Sequence, residues 1–136
     1  MTTSTVTVVR TVAAGPERVF DAWVDAGQLA TWWWPQLAGT TYDVDARPGG
    51  GYTIHSPAAG LTVSGVYTEV DRPRRLAFTW HWAGPDDAED HVVVTFEPTA
   101  EGQTRVTVAH TSTEHEPDGG AEQGWNDVLD RLAGLG

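Results

Sequence analysis

Tryptophan spacing sets the first constraint on this chain. Seven indoles occur in 136 residues, and six fall in three groups: Trp32, Trp33 and Trp34 in a row, Trp80 and Trp82 two apart, and Trp125 near the C-terminus. Each ring can bury about 150–250 Å², so together they form either an unusually aromatic core or the wall of a cavity. Trp80 and Trp82 lie in a β-rich run, where residues two apart leave the same side of the strand. Two indoles on one inner face need a concave surface to pack against, supplied by protein or by ligand.

The remaining pattern shows what could supply it. Val6, Val8 and Val12 alternate with β-branched neighbours and predict a strand over 4–12. Gly15-Pro16 then punctuates, with Pro16 suited to a first helical position and Glu17 to the N-terminal dipole. Val19, Phe20, Trp23 and Val24 share one helical face; Gly27 is expected to break that helix, and a second short helix over 28–33 is stopped by Pro35. From residue 41 the signals are β: Thr41–Ala46, Tyr52–His55, Leu61–Val70, Arg75–Trp82, a strand carrying Val92, Val94 and Phe96 on one face, and Thr104–Thr111. The turn Arg47-Pro48-Gly49-Gly50-Gly51 is rich enough in glycine to need positive φ. Residues 121–133 return to helical spacing, with Trp125, Val128, Leu129 and Leu132 as the apolar stripe. The order predicts an α+β fold in a single domain over 1–136: a strand, two short helices, about six antiparallel strands forming a curved sheet, and a C-terminal helix.

Charge and composition remove several functions. A formal net charge of −11 argues against nucleic acid and against anionic membrane surfaces, because phosphate binding needs clustered cations. All eight cations are arginine, and their one cluster, Arg72, Arg74 and Arg75, reads as a solvated strand entrance rather than an anion site. Cysteine is absent, so there are no disulfides and no thiol chemistry. The stretch MTTSTVTVVRTV lacks the basic and apolar parts of a signal peptide, and no run is long enough to span a bilayer. A cytoplasmic protein, monomeric or homodimeric and without a cofactor, is the expectation.

A twisted sheet of six or seven strands has a concave face, and only one long amphipathic helix is available to cover it. Gly51, Ser64, Gly65 and Ala77 leave space along the strands while large rings hold the walls apart. Such a mixture favours a ligand-sized void over a filled core. The run Pro16-Glu17-x-Val19-Phe20-x-x-Trp23, then Leu29-x-x-Trp32-Trp33-x-Pro35, resembles the Activator-of-Hsp90-ATPase-like branch of the START-related (SRPBCC, helix-grip) superfamily. So do Arg47-Pro48-Gly49-Gly50, Gly65-x-Tyr67-x-Glu69-Val70, Arg75-Leu76-x-Phe78-Thr79-Trp80, Thr104 to Val108 with His110, and Gly124-Trp125 with Leu129. The resemblance covers residues 5–133 in order. It implies a seven-stranded sheet gripping the C-terminal helix, with two short helices closing one end around a hydrophobic cavity. Trp34 departs from the family pattern, which usually has a small residue there, often glycine; the indole would narrow the cavity mouth or add a flat wall. The acidic loop Gly84–Asp90 would repel anionic ligands at any entrance beside it.

Candidate chemistry is sparse. Strand parity puts His110 inward with Val106 and Val108, where an imidazole could orient a ligand or act as a general base, although a histidine hydrogen-bonded within the core is favoured over a catalytic one. Tyr52 and Tyr67 point toward the same interior, and their hydroxyls need partners. Glu69 shares parity with Tyr67, but a solvated carboxylate is favoured; His55, His81 and His91 read as exposed. His115, Glu116 and Asp118 match no closed metal site, and no metal is expected. The expected function is binding of a small hydrophobic ligand, aromatic ones included. Its expected lining is Trp33, Tyr52, Ile54, Tyr67, Phe78, Trp80, Phe96, His110, Trp125 and Leu129. The resemblance also implies rival readings: a polyketide aromatase/cyclase-like enzyme using His110 with Tyr52 or Tyr67, a self-resistance protein sequestering a reactive natural product such as an enediyne, and a chaperone-partner module. The last is disfavoured because inward parity accounts for nearly all the apolar residues.

Overall fold

The computed structural model describes residues 4–34, 38–82, 89–99, 102–112 and 119–134, with the backbone alone at Ser4, Trp82, Ser112 and 119–123. The expected inward ring of Trp82, the stop at Pro35, the acidic residues 84–88 and the trio His115, Glu116 and Asp118 lie outside that description. Strand β1 (Ser4–Val12) leads into helices α1 (Pro16–Val24) and α2 (Ala26–Trp32). Strands β2 (Thr41–Val44), β3 (Gly51–Ser56), β4 (Leu61–Asp71), β5 (Arg75–Trp82), β6 (Asp90–Pro98) and β7 (Thr104–Ser112) follow, and α3 (Gly119–Ala133) ends the chain. All pairings are antiparallel, in the spatial order β1-β7-β6-β5-β4-β3-β2. This is the α+β helix-grip arrangement: a curved seven-stranded sheet with three helices against it. Among the described residues no helix is long and apolar enough to cross a membrane.

The break between the two short helices differs from expectation in an instructive way. Asp25, in extended conformation, ends α1, and its Oδ1 accepts from Gly27 N at 2.8 Å and Gln28 N at 3.3 Å to cap α2. Gly27 therefore sits inside the first turn of α2, because a capping carboxylate is a stronger boundary signal than a glycine two residues later. The Trp32 indole N–H then donates to Ala22 O at 3.0 Å, satisfying a last-turn carbonyl of α1 and fixing the angle between the helices. The α1 surface is tied to the β4–β5 turn by Arg72, which holds Asp21 through two hydrogen bonds of 2.8 and 3.0 Å. Those bonds hold the Asp21 carboxyl below the usual range. Arg75 pairs with Glu69 at 2.9 Å, so two of the three clustered arginines are engaged in surface pairs. At the far edge, Arg10 shares the inward parity of Val8 and Val12 and reaches α3 through Asp130 and Asn126.

Two glycines set the sheet's curvature by close approach. A Cβ on Gly50 would lie 2.1 Å from Asp45 O, so in the glycine-rich turn only Gly49, at φ +86°, is there for its positive φ. A Cβ on Gly65 would lie 1.9 Å from Thr79 O. Tyr52 pairs across the ladder with Gly65, lays its ring over that bare backbone and donates its hydroxyl to Thr79 O at 2.6 Å. Just beyond, a bulge shifts the register between Tyr67 and Glu69. Gly65→Ala should cost about 1–3 kcal/mol by forcing backbone atoms apart. Gly51→Ala, whose Cβ would meet nothing nearer than 3.4 Å, should stay within about 0.5 kcal/mol; urea unfolding of both variants checks the contrast.

Candidate functional site

Four indoles from four different elements converge between the sheet and the helices. Trp23 comes from α1, Trp33 from the C-cap of α2, Trp80 from β5 and Trp125 from α3. Trp125 stacks on Trp23 at 6.2 Å between ring centroids and meets Trp33 edge-on at 5.4 Å and Trp80 at 5.2 Å. Trp33 also touches Trp80 at 5.9 Å and Trp23 at 6.4 Å. All four are buried. A second aromatic group, Tyr52, Tyr67 and Phe78, occupies the inner face of β3 to β5 with centroids 5.3–6.1 Å apart.

Between the two groups lies a cavity of about 30 Å³. That is room for a water molecule or two. Trp33, Tyr52, Ile54, Tyr67, Phe78 and Trp80, all expected there, line it, joined by Trp23, Leu29, Val44 and Leu76. The sequence carried a signal for Trp23, which shares the apolar face of α1, and for Leu76, which alternates with Phe78 and Trp80. Phe96, His110, Trp125 and Leu129 are buried but do not line the cavity. Phe96 packs edge-on against Phe20 at 5.2 Å and against Trp23, which screens it. Leu129 lies fully buried on α3, and Trp125 fills the space in which it was expected to form a wall.

His110 occupies a closed network. The Trp125 indole can only donate, and its N–H points at His110 Nδ1 at 2.9 Å, so Nδ1 carries the lone pair. The proton therefore sits on Nε2, which donates to Asp90 Oδ2 at 2.7 Å. All three residues are buried. A general base would have to release Trp125 first, and the expected exposure of His110 to a pocket is lost because the Trp125 ring covers it. Asp90 was read with the acidic loop, yet it is the first residue of β6 and has the inward parity of Val92, Val94 and Phe96. Glu69 turns outward to Arg75 because the bulge after Tyr67 reverses the parity that would have carried it inside. His55 and His91 are exposed and His81 is half-buried.

Burial sets the phenols against catalysis as well. It pushes the Tyr52 hydroxyl far up from its ordinary value, and the nearby Tyr67 adds to the shift. Burial and then the Asp45 charge do the same for Tyr67, and burial raises Tyr42, whose hydroxyl donates to Trp33 O. None is primed to act as a tyrosinate near neutral pH. On the outer face of β2 to β5 a shallow groove of about 520 Å³ opens to solvent beside Asp43, Asp45, His81 and Glu89. Among the described residues no group of His, Cys, Asp or Glu is placed to hold a metal.

The sequence model of the family of Activator of Hsp90 ATPase homolog 1-like proteins matches residues 13–136. A search of curated protein sequences finds no match. Among solved structures, the Mll3558 protein of Rhizobium loti is 26% identical, with 98% of this chain and 96% of that one covered and a TM-score of 0.81. CV1439 of Chromobacterium violaceum is 27% identical over 96% and 95% of the two chains, with a TM-score of 0.77. DynU16, described as a putative protein in the dynemicin biosynthetic locus, is 22% identical, with 96% of this chain but 46% of that one covered and a TM-score of 0.80. At that identity the likeness is one of fold.

All three tyrosines have raised pKa values, so the folded state keeps protons that an unfolded chain gives up near pH 10. Their contribution to stability is complete below about pH 10 and is lost as the pH rises above it. An alkaline absorbance titration should leave Tyr52 and Tyr67 protonated near pH 10, then show a cooperative rise that coincides with unfolding by circular dichroism. A gradual three-phenol titration of the folded protein would contradict the burial described.

Proposed function

The chain belongs to the Activator of Hsp90 ATPase homolog 1-like family, and we propose that it binds a small hydrophobic ligand, aromatic ones included, between the sheet and the helices. The observation that carries this reading is the wholly uncharged cavity flanked by two aromatic groups at the centre of the grip. Apolar burial would supply the affinity at about 25 cal/mol per Å², and the indoles would add stacking. The unliganded cavity admits a water-sized guest, so a larger ligand must displace a ring.

The wall that moves is the segment at the end of α2. Trp34 has φ +54°, a conformation that costs a bulky L-residue about 1–3 kcal/mol. A small residue, often glycine, which the family resemblance implies at this position, would suit this backbone. The Trp34 ring rests on Trp33 at 6.0 Å, so relaxing the strained residue draws a wall of the cavity with it. Swinging this segment outward would enlarge the cavity by giving up the contacts of Trp33 with Trp80 and Tyr42.

Sequestration without turnover is the form of binding favoured, because His110, Tyr52 and Tyr67 are all engaged or unprimed. The fold shared with DynU16 makes a reactive natural product one guest to include. Tryptophan fluorescence titrated with a broad panel of small aromatic and polyketide-like molecules tests the proposal. Saturable quenching by at least one class is expected, with tighter or faster binding in Trp34→Gly. A flat response across the panel in both proteins would overturn the reading. A His110→Ala variant separates sequestration from turnover: retained affinity with turnover present in the parent and lost in the variant would move the assignment to an enzyme.

A further inference from the structure

We propose, resting on the ligand-binding reading above, that the guest is a neutral flat molecule presenting a carbonyl-type hydrogen-bond acceptor to the indole N–H groups of Trp23 and Trp33. The fold satisfies indoles where no cavity adjoins them. Trp32 donates to Ala22 O at 3.0 Å and Trp125 to His110 Nδ1 at 2.9 Å. Trp23 and Trp33 line the cavity, are 4% exposed each, and have Nε1 atoms without a hydrogen-bond partner among the described residues. Buried donors are rarely left unmade, since each such omission costs as much as a hydrogen bond contributes. Two such omissions on rings that border one void mark a place where an acceptor belongs once the void widens to take a guest.

The rest of the wall narrows the chemistry. No charged side chain lines the cavity, so a carboxylate or an ammonium entering it would lose its hydration with no countercharge. The negative charge of Asp45 already reaches Tyr67 on this wall, which turns anions away further. Tyr52 has committed its proton to Thr79 O, and an indole N–H can only donate. A guest made of donors, such as an amine, therefore finds no complement at the indoles, and a plain hydrocarbon leaves both N–H groups as they were. A ketone, quinone or lactone carbonyl on an aromatic frame meets both requirements.

Indane and its ketone indanone share a frame and differ by one carbonyl, so they isolate the contribution of the acceptor. Calorimetry of the unmodified protein should give indanone an advantage of about tenfold or more after correction for each probe's partition between water and hydrocarbon. Indanone, and not indane, should move the Hε1 resonances of Trp23 and Trp33 to lower field. Trp23→Phe and Trp33→Phe should each shrink the ketone's advantage while indane still binds. Equal corrected affinities with both Hε1 resonances unmoved would overturn the inference while leaving ligand binding intact, and would assign those N–H groups to ring faces such as Trp32. An advantage undiminished in both variants would overturn it too, by placing the donor elsewhere. Binding of neither probe, with no response in the wider panel, would remove the ligand reading itself.

Discussion

The interaction on which the rest of this molecule depends is the meeting of Trp125 with Trp23, Trp33 and Trp80. Each ring belongs to a different element, so their contacts lock α1, the end of α2, β5 and α3 into one arrangement. A fully buried indole removes about 150–250 Å² from water, on the order of 4–6 kcal/mol as an upper bound. Trp125 is oriented by His110, and His110 by Asp90 at the start of β6. The histidine that most invited a catalytic reading thus acts as a bracket between the sheet and the final helix. Its two ring nitrogens are spoken for by groups of opposite hydrogen-bonding character, which fixes the tautomer and the ring plane together.

This arrangement explains why the concave sheet does not hold an open hollow. The small residues on the strands were expected to leave space, yet Gly65 accommodates the Tyr52 ring and the close backbone of Thr79. The space a glycine vacates on one strand is occupied by the aromatic partner on the next. What survives is a narrow apolar void at the junction of the two aromatic groups, bounded on one side by Trp33, on which the strained Trp34 rests.

Much of the architecture was legible in the sequence because its signals are local. Period-two alternation located every strand from Thr41 to Ser112, and a single apolar stripe identified α3 as the element the sheet must grip. Six of the ten residues expected around the cavity line it, five of them because a pleated strand fixes which face a side chain takes. Glu69 is solvated as favoured, but through a bulge that one sequence cannot announce, and the helix boundary at Asp25 depended on a capping bond rather than on the glycine nearby. Whether rings enclose a void or fill it turns on displacements below the radius of a water molecule, beyond the reach of any periodicity argument. Phe96 was assigned to a wall on strand parity, and Trp125 and Leu129 on the apolar stripe of α3; neither pattern tells a wall from a plug.

The central claim is that the unliganded grip is closed by indole contacts and opens to admit a guest. Nuclear Overhauser contacts among ring protons in the ligand-free protein test it most directly. Cross-peaks joining Trp125 to Trp33 and Trp80, with an Hε1 proton of Trp125 slow to exchange with solvent, are the expected result. Absent cross-peaks between those rings, together with rapid exchange at Trp125 Hε1, would show a grip that stands open without a ligand and would contradict the account.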